Sequence, residues 1–401
     1  MQISEADLLY GAHYPDWGLD HGTASLGISG CLNNAFGMRG IVNQAAIKVI
    51  GACDGGGNWL LADAINQAVA NTAPGDVILL EQQGYSEVLA NYCPVEVYAD
   101  VYSAIVNATA VDRIVIEPAG NGSLNLDDAA FGGIFQRATR DSAAIIVGAG
   151  YSTDRSRCAF SCYGSRVDIQ GWGDVCVAST GYGDLYGTIA SNQYTDTFSG
   201  TSSGSALSAA VAASVQSYAK ARWGFYLPPL LLRTNLATNG YAQTFGLAGN
   251  IGPLPNLSNS YYAVEIGATR LVVSSGPGGA DPPDGTNQYP AGKILSCWVT
   301  NSPASGGAGT QYVATGGAVL SNAYTQVNST NITLTLTNHA ALIWQWKTQH
   351  LLQAASGGNG NVDKTNQWLD AGSNVTVTAS ASNYHQFAGW TGDTQGDTNA
   401  P

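Results

Sequence analysis

Three short stretches carry residue types used together in nucleophilic chemistry. Asp20-His21-Gly22-Thr23-Ala24 places a His before Gly-Thr and an apolar helical run, so its ring can stand exposed at a helix start. Ala119-Gly120-Asn121-Gly122 follows the apolar run Arg113–Glu117. It sets a side-chain amide at the carboxyl end of a strand, where open α/β sheets bind ligands. Phe198-Ser199-Gly200-Thr201-Ser202-Ser203-Gly204 opens an Ala-rich helix expected over Ser205–Lys220. A Ser at a helix N-terminus gains from the dipole, which stabilises an alkoxide or a neighbouring oxyanion. Each stretch also has an ordinary structural reading: a satisfied His, an Asn-Gly turn, N-capping by Ser or Thr. Their order is His, Asn, Ser, and a carboxylate, Asp7, lies upstream just after a strand-like Ile3–Ala6.

The elements that must position these residues are legible as texture. Short apolar runs at Ile47–Ile50, Val77–Leu80, Arg113–Glu117 and Ala144–Val147 are bounded by Gly, Pro or Asp and read as buried parallel strands. Helical patterns lie between them, over Trp59–Val69 and Val95–Ala108. In the first, Leu61, Ala64, Ile65 and Ala68 form one apolar stripe. Strand, helix and strand at this spacing predict an α/β domain with helices on both sheet faces.

Composition excludes several classes. Charged residues are 11% of the 401, against about 25% in a typical soluble protein, yet 45% are hydrophobic, so charge-driven disorder is not expected. The formal net charge of −13 would repel phosphate backbones, so nucleic acid is not an expected partner. No run of about 18 uncharged apolar residues exists, so no transmembrane helix is expected. Met1–Tyr10 carries acids and no basic stretch, unlike a signal peptide. The seven cysteines form no Cys-x-x-Cys pair, so a zinc site is weakly supported; buried thiols or one or two disulfides are the plainer reading, with at least one thiol left over.

Taken jointly, these blocks resemble the subtilisin-like serine protease family over roughly residues 1–225. His21-Gly22-Thr23 looks like the family's His block, Ala119-Gly120-Asn121-Gly122 like its oxyanion block and Gly200-Thr201-Ser202 like its nucleophile block. Ala46-Ile47-Lys48-Val49-Ile50-Gly51 resembles its second core strand, and Arg157-Cys158-Ala159-Phe160-Ser161-Cys162-Tyr163-Gly164 its R-x-x-F-S-x-x-G stretch. The resemblance implies a three-layer domain with a parallel sheet. It also implies a triad in which Ser202 attacks a peptide carbonyl, His21 relays the proton and Asp7 fixes the imidazole. Asn121 and the Ser202 N–H would hold the oxyanion. It implies no metal or organic cofactor; structural calcium has no specific motif here. The partner it implies is a protein or peptide substrate.

Three features depart from the family pattern. Asp7 is followed by Leu8-Leu9-Tyr10-Gly11 rather than Ser or Thr and Gly, although some bacterial members carry Ala-Asp-Val-Glu-Tyr-Gly. Asp7 and His21 are only 14 residues apart, about half the usual separation; Asp16 and Asp20 are alternatives, but neither follows a strand pattern. Ala206 stands where the family has Pro, in a first turn that tolerates Ala. The substrate edge would be Glu81-Gln82-Gln83-Gly84, where the family often has Ser-Leu-Gly. Here Glu81, Gln82 and Gly84 would bind substrate, Glu81 favouring basic side chains; a solvated carboxylate or a structural ion pair is the other reading of Glu81.

Beyond about residue 262 the texture turns to Thr, Asn, Ser, Gly and Val. Asn331–Thr337 alternates strictly, and Asn374–Ala379 repeats the pattern, as half-exposed strands do. Thr286-Asn287-Gln288-Tyr289 recurs as Thr365-Asn366-Gln367-Trp368, 79 residues later. Two related β modules are expected, joined near Trp344-Gln345-Trp346. Asn374–Ala379 followed by Phe387-Ala388-Gly389-Trp390-Thr391-Gly392-Asp393 resembles bacterial surface repeats of the divergent internalin B-repeat type. The expected domains are therefore 1–262 for the peptidase, 263–345 for one β module and 346–401 for a second. The ends read as those of a fragment, of a secreted or cell-surface protein with attachment through the β repeats. The short Asp7-to-His21 segment motivates a second function, a catalytically impaired relative acting as an adhesion protein. An α/β-hydrolase esterase would need its His after the Ser, and the later His339, His350 and His385 lie in the β modules.

Overall fold

The structure, a computed structural model, describes residues 4–13, 19–189, 192–244 and 246–392. The chain divides into two compact units, Met1–Gly267 and Ala268–Pro401.

In the first unit a 3-10 turn, Glu5–Asp7, leads into β1 (Leu8–Tyr10), which pairs in parallel with β2 (Val49–Ile50). Between them lies α1 (Asp20–Gly30). Next come α2 (Leu61–Ala70), β3 (Val77–Leu79), the hairpin β4 (Gly84–Ser86) and β5 (Asn91–Cys93), and α3 (Ala99–Ala110). β6 (Ile114–Pro118), β7 (Ile145–Gly150) and β8 (Ile169–Trp172) follow, then the antiparallel ribbon β9 (Val177–Thr180) and β10 (Tyr194–Phe198). Three helices close the unit: α4 (Gly200–Trp223), α5 (Pro229–Thr238) and α6 (Leu257–Gly267).

Strands β3, β6, β7 and β8 form one parallel sheet in that order. Successive side chains of a strand point to opposite faces, and β6 uses both. Ile114 and Ile116 pack with Ala209, Ala212, Val215 and Leu232 of α4 and α5, whereas Val115 packs with Leu61 and Ile65 of α2 and Val101 and Ile105 of α3. A strand apolar at every position is what burial on both faces requires. The result is the expected three-layer α/β domain.

Residues of β3, β6 and β7 fall where the apolar runs put them, but the N-terminus differs. In place of a strand ending at Ala6, Glu5–Asp7 turn as a 3-10 helix, and the strand comes afterwards, at Leu8–Tyr10. The backbone N–H and hydroxyl of Ser4 both donate to Asp7 Oδ2, at 2.8 and 2.7 Å, and this local capture of the backbone competes with extension. Asp16 lies outside the described residues. All seven cysteines are free thiols.

The second unit is a pair of sheets. One contains β11 (Ala268–Ser274), β13 (Gly285–Pro290), β15 (Ala304–Ser305), β16 (Thr310–Leu320), β19 (Ala340–Leu352) and β21 (Gln367–Asp370); the other contains β12 (Ala280–Asp281), β14 (Lys293–Val299), β17 (Tyr324–Asn328) and β18 (Asn331–Leu336). β20 (Gly360–Val362) and β22 (Ala379–Ala381) form a separate two-stranded pair. Ile332, Leu334 and Leu336, alternate residues of β18, meet Leu271, Val273, Leu342 and Trp344 of the first sheet in one core. The expected join at 345/346 falls inside β19, which runs unbroken through Trp344-Gln345-Trp346. Of the second alternating stretch, Asn374–Thr378 is not in a strand and pairing begins at Ala379. Alternation favours a strand but does not supply the neighbour that makes one.

Candidate active site

The His21, Asn121 and Ser202 stretches converge. His21, Asn121 and Ser202 line one cavity of about 320 Å³, with Tyr182, Thr195, Thr197, Phe198, Ser199 and Gly200. It lies beyond the carboxyl end of β6, the position at which open parallel sheets present loops to ligands.

Ser202 is in the first turn of α4, whose N-cap is Ser199. The first amides of a helix have no acceptor within it. Two of them bond elsewhere: Gly200 N–H to Gly173 O at 2.9 Å and Thr201 N–H to Asn121 Oδ1 at 3.0 Å. The helix can start this close to the sheet because Gly171 and Gly204 face each other; a Cβ on Gly171 would meet the Gly204 carbonyl oxygen at 2.4 Å. Ala206 is fully buried against Ala24 and Ile28 of α1, so the small residue at that position is used for helix–helix contact.

Asn121 is held by the helix that carries Ser202. Its Oδ1 accepts from the N–H and the hydroxyl of Thr201, at 3.0 and 2.9 Å, and its backbone N–H donates to Gln83 Oε1 at 2.9 Å. With the oxygen occupied, Nδ2 is the end of the amide left to donate. Gly200 sits at φ +86°, and a Cβ there would be 3.2 Å from Asn121 Nδ2, so a glycine is what admits the amide.

His21 is the second residue of α1. Thr23, Ala24 and Ile28 of that helix are buried, and the Thr180 hydroxyl of β9 donates to Thr23 O at 2.9 Å, which fixes the helix start. The His21 ring meets Phe198 edge-on, with centroids 5.5 Å apart, and Phe198 stacks on Tyr182. Burial pushes the imidazole below its ordinary value, keeping it neutral and able to accept a proton. Its Nδ1 lies 3.7 Å from Glu81 Oε2.

The carboxylate assigned to the triad from sequence is elsewhere. Asp7 is exposed, does not line the cavity, and is bonded to Ser4; those hydrogen bonds hold its carboxyl below the ordinary range. The substrate-edge residues are also placed differently. Gln82 Oε1 accepts the Trp59 indole N–H, Gly84 is buried in the β4–β5 hairpin against Val97 and the Pro94 carbonyl, and Glu81 turns to α1. Tyr182 and Phe198 were missed from sequence. Phe198 ends β10, Tyr194–Phe198, whose burial does not alternate along the strand, so no period-two signal marks the β10 wall of the cavity.

A model of the subtilase family matches residues 9–248, more than half of the chain. The chain belongs to the subtilase family. It is thereby a serine protease at the family level, and its substrates are peptides. No curated protein matches it. Among solved structures it is similar to proteases from Pseudoalteromonas arctica, at 21% identity and a TM-score of 0.47 over 63% of this chain and 73% of that one. A cold-adapted subtilisin-like serine proteinase is 19% identical, with a TM-score of 0.44 over 63% and 82% of the two chains. The self-cleaved protease domain of PatA is 18% identical, with a TM-score of 0.48 over 65% and 89%. Among the described residues of this subtilase, no helix is long and apolar enough to cross a membrane.

Proposed function

We propose that this subtilase is an endopeptidase in which Ser202 is the nucleophile, His21 the general base and then acid, and Asn121 an oxyanion donor. The observation that carries the reading is that these three side chains line one cavity, with Asn121 Oδ1 tied to Thr201, the residue before the nucleophile. Ser202 Oγ attacks the peptide carbonyl while His21 Nε2 takes the hydroxyl proton. The tetrahedral oxyanion lies between Asn121 Nδ2 and the Ser202 N–H, and His21 returns the proton to the leaving amine; water then repeats the sequence on the acyl-enzyme. The dipole of α4 adds positive potential where the oxyanion forms. The all-β unit would serve as an attachment or spacing module of a secreted or surface-held protease.

A fluorophosphonate probe tests the core of the reading. It should label the full chain on one peptide, the one containing Ser202, and labelling should vanish in Ser202→Ala. A folded chain that neither takes the probe nor cleaves an unfolded protein substrate would defeat it.

A further inference from the structure

We propose that Glu81 is the carboxylate that positions His21 for proton transfer. The inference rests on the protease reading above and deepens it by naming the third member of that site.

Four observations carry it. Glu81 leaves the carboxyl end of β3 and points at α1, where its Oε2 lies 3.7 Å from His21 Nδ1. The same oxygen accepts the hydroxyl of Ser25. His21 and Ser25 are four residues apart on a helix, so they present to one side, and the Ser25 hydroxyl also lies 3.2 Å from the His21 carbonyl oxygen. The helix therefore supplies both the ring and the group that holds the acid facing it. The other oxygen, Oε1, is buried without a hydrogen-bond partner. Leaving a carboxylate oxygen bare is costly, and a buried group left so calls for a role that accounts for it. Lastly, the competing carboxylate of Asp7 is exposed and bonded within its own turn.

The contact of 3.7 Å is longer than a hydrogen bond. Catalytic contacts in free enzymes are often long and tighten when substrate binds. A carboxylate facing Nδ1 favours the tautomer with its proton on that nitrogen. Nε2 is then the basic atom, the one the proposed proton transfer from Ser202 requires. When Nε2 takes the Ser202 proton, the ring becomes an imidazolium facing an acid; the proton later leaves with the amine, and Glu81 ends each cycle as it began.

The groups facing Glu81 are His21 and Ser25 from α1 and Tyr182 from the segment after β9. Burial, with Asp20 and Glu81 nearby, pushes the Tyr182 phenol up to about 12, so it stays neutral. Burial pushes the Glu81 carboxyl up to about 8, against the opposing pull of the Ser25 hydroxyl. The positioning form, the ionised one, therefore grows as pH rises toward that value.

The test uses the full chain and the variants Glu81→Gln, Glu81→Asp and Asp7→Asn. The first readout is the His21 tautomer, from its ring nitrogen shifts at about pH 9, where a carboxyl of this kind is ionised and His neutral. The wild type and Asp7→Asn should be protonated at Nδ1, and Glu81→Gln at Nε2. A tautomer switch in Asp7→Asn, or an Nε2-protonated wild type, would overturn the proposal. This readout needs no turnover, so it decides the role of Glu81 even if the protease reading itself fails. The second readout is peptide hydrolysis. Glu81→Gln should lower kcat by about 10²–10⁴-fold with KM within about twofold, the upper value being the scale of losing the orienting acid in serine proteases. Asp7→Asn should stay within about twofold. Glu81→Asp, which keeps the charge on a shorter arm, should keep the Nδ1 tautomer and recover at least about tenfold of the lost kcat. Full activity of Glu81→Gln, or no recovery in a folded Glu81→Asp, would overturn the proposal.

Discussion

Two clusters of buried acid in the first unit are satisfied in opposite ways. Around Arg166, whose side chain is 1% exposed, the acids Asp168 and Glu96 are paired with a guanidinium. Its guanidinium bonds Asp168 Oδ2 at 2.6 Å, Glu96 Oε1 and Ser142 Oγ at 3.3 Å, and Ala144 O at 3.2 Å. Asp168 also takes Arg137 Nη2 at 2.5 Å and the Ile146 N–H at 2.8 Å. Burial and the Glu96 charge raise the nearby Glu117 carboxyl well above its ordinary value, and both of its oxygens are buried without a hydrogen-bond partner. Glu81 has instead a hydroxyl, an imidazole at 3.7 Å and one bare oxygen. Where an acid serves only the fold, charge is neutralised by fixed guanidinium groups. Where it faces His21, its partner is a ring whose charge changes. An Arg in that place would hold the acid ionised but occupy the oxygen that faces the ring.

The largest expected effect is at the proposed nucleophile: Ser202→Ala should lower kcat by about 10⁶-fold and leave the melting temperature within a few degrees. Rates from purified variants, with thermal melts alongside, check both halves. Next, Arg166→Met should cost about 3–5 kcal/mol, because it leaves Glu96 buried without its guanidinium and removes one of those facing Asp168. Urea unfolding measures this, and a loss below about 1 kcal/mol would mean that the cluster is not a structural keystone. Asn121→Ala follows. It should lower kcat by about 10²–10³-fold with KM nearly unchanged, since the contact forms mainly in the transition state; a change confined to stability, of about 1 kcal/mol, would make Asn121 a turn former.

The smallest effect is at Asp141. Burial opposes its ionisation, but the paired bonds from Arg233 at 2.7 and 2.6 Å and the Ala143 N–H outweigh this and hold its carboxyl down at about 2. A carboxyl lower in the folded than in the unfolded chain stabilises the fold above its unfolded value. That contribution is lost as pH falls from about 4 to about 2. Asp141→Asn should thus flatten the melting-temperature profile across that window and leave the Glu81 region unaffected. A profile that stays as steep would assign the acid sensitivity to other carboxylates.

Much of the fold was legible because its signals are local. Ile114-Val115-Ile116 is apolar without alternation, which only burial on both faces explains, and β6 lies at the middle of the sheet. Asn331–Leu336 alternates, and its apolar half is buried. The same signal misled at Asn374–Thr378, because a strand needs a partner edge that the local pattern does not contain. At the N-terminus the apolar Ile3 suggested extension, but Ser4 and Asp7 closed a turn through their own side chains.

The sequence alone determined which residues could do the chemistry and in what order they occur. His21 opens a helix, Asn121 follows a strand and Ser202 begins a long helix, because caps, glycines and apolar runs act over a few residues. Which carboxylate faces His21 was decided only by tertiary structure. Asp7 and Glu81 are each an acid at the edge of an apolar run, 14 and 60 residues from His21 in sequence. Separation along the chain does not rank them. The packing of α1 against the end of β3 does, since it brings Glu81 to the ring and buries it there, and charge interactions depend on distance and burial in space.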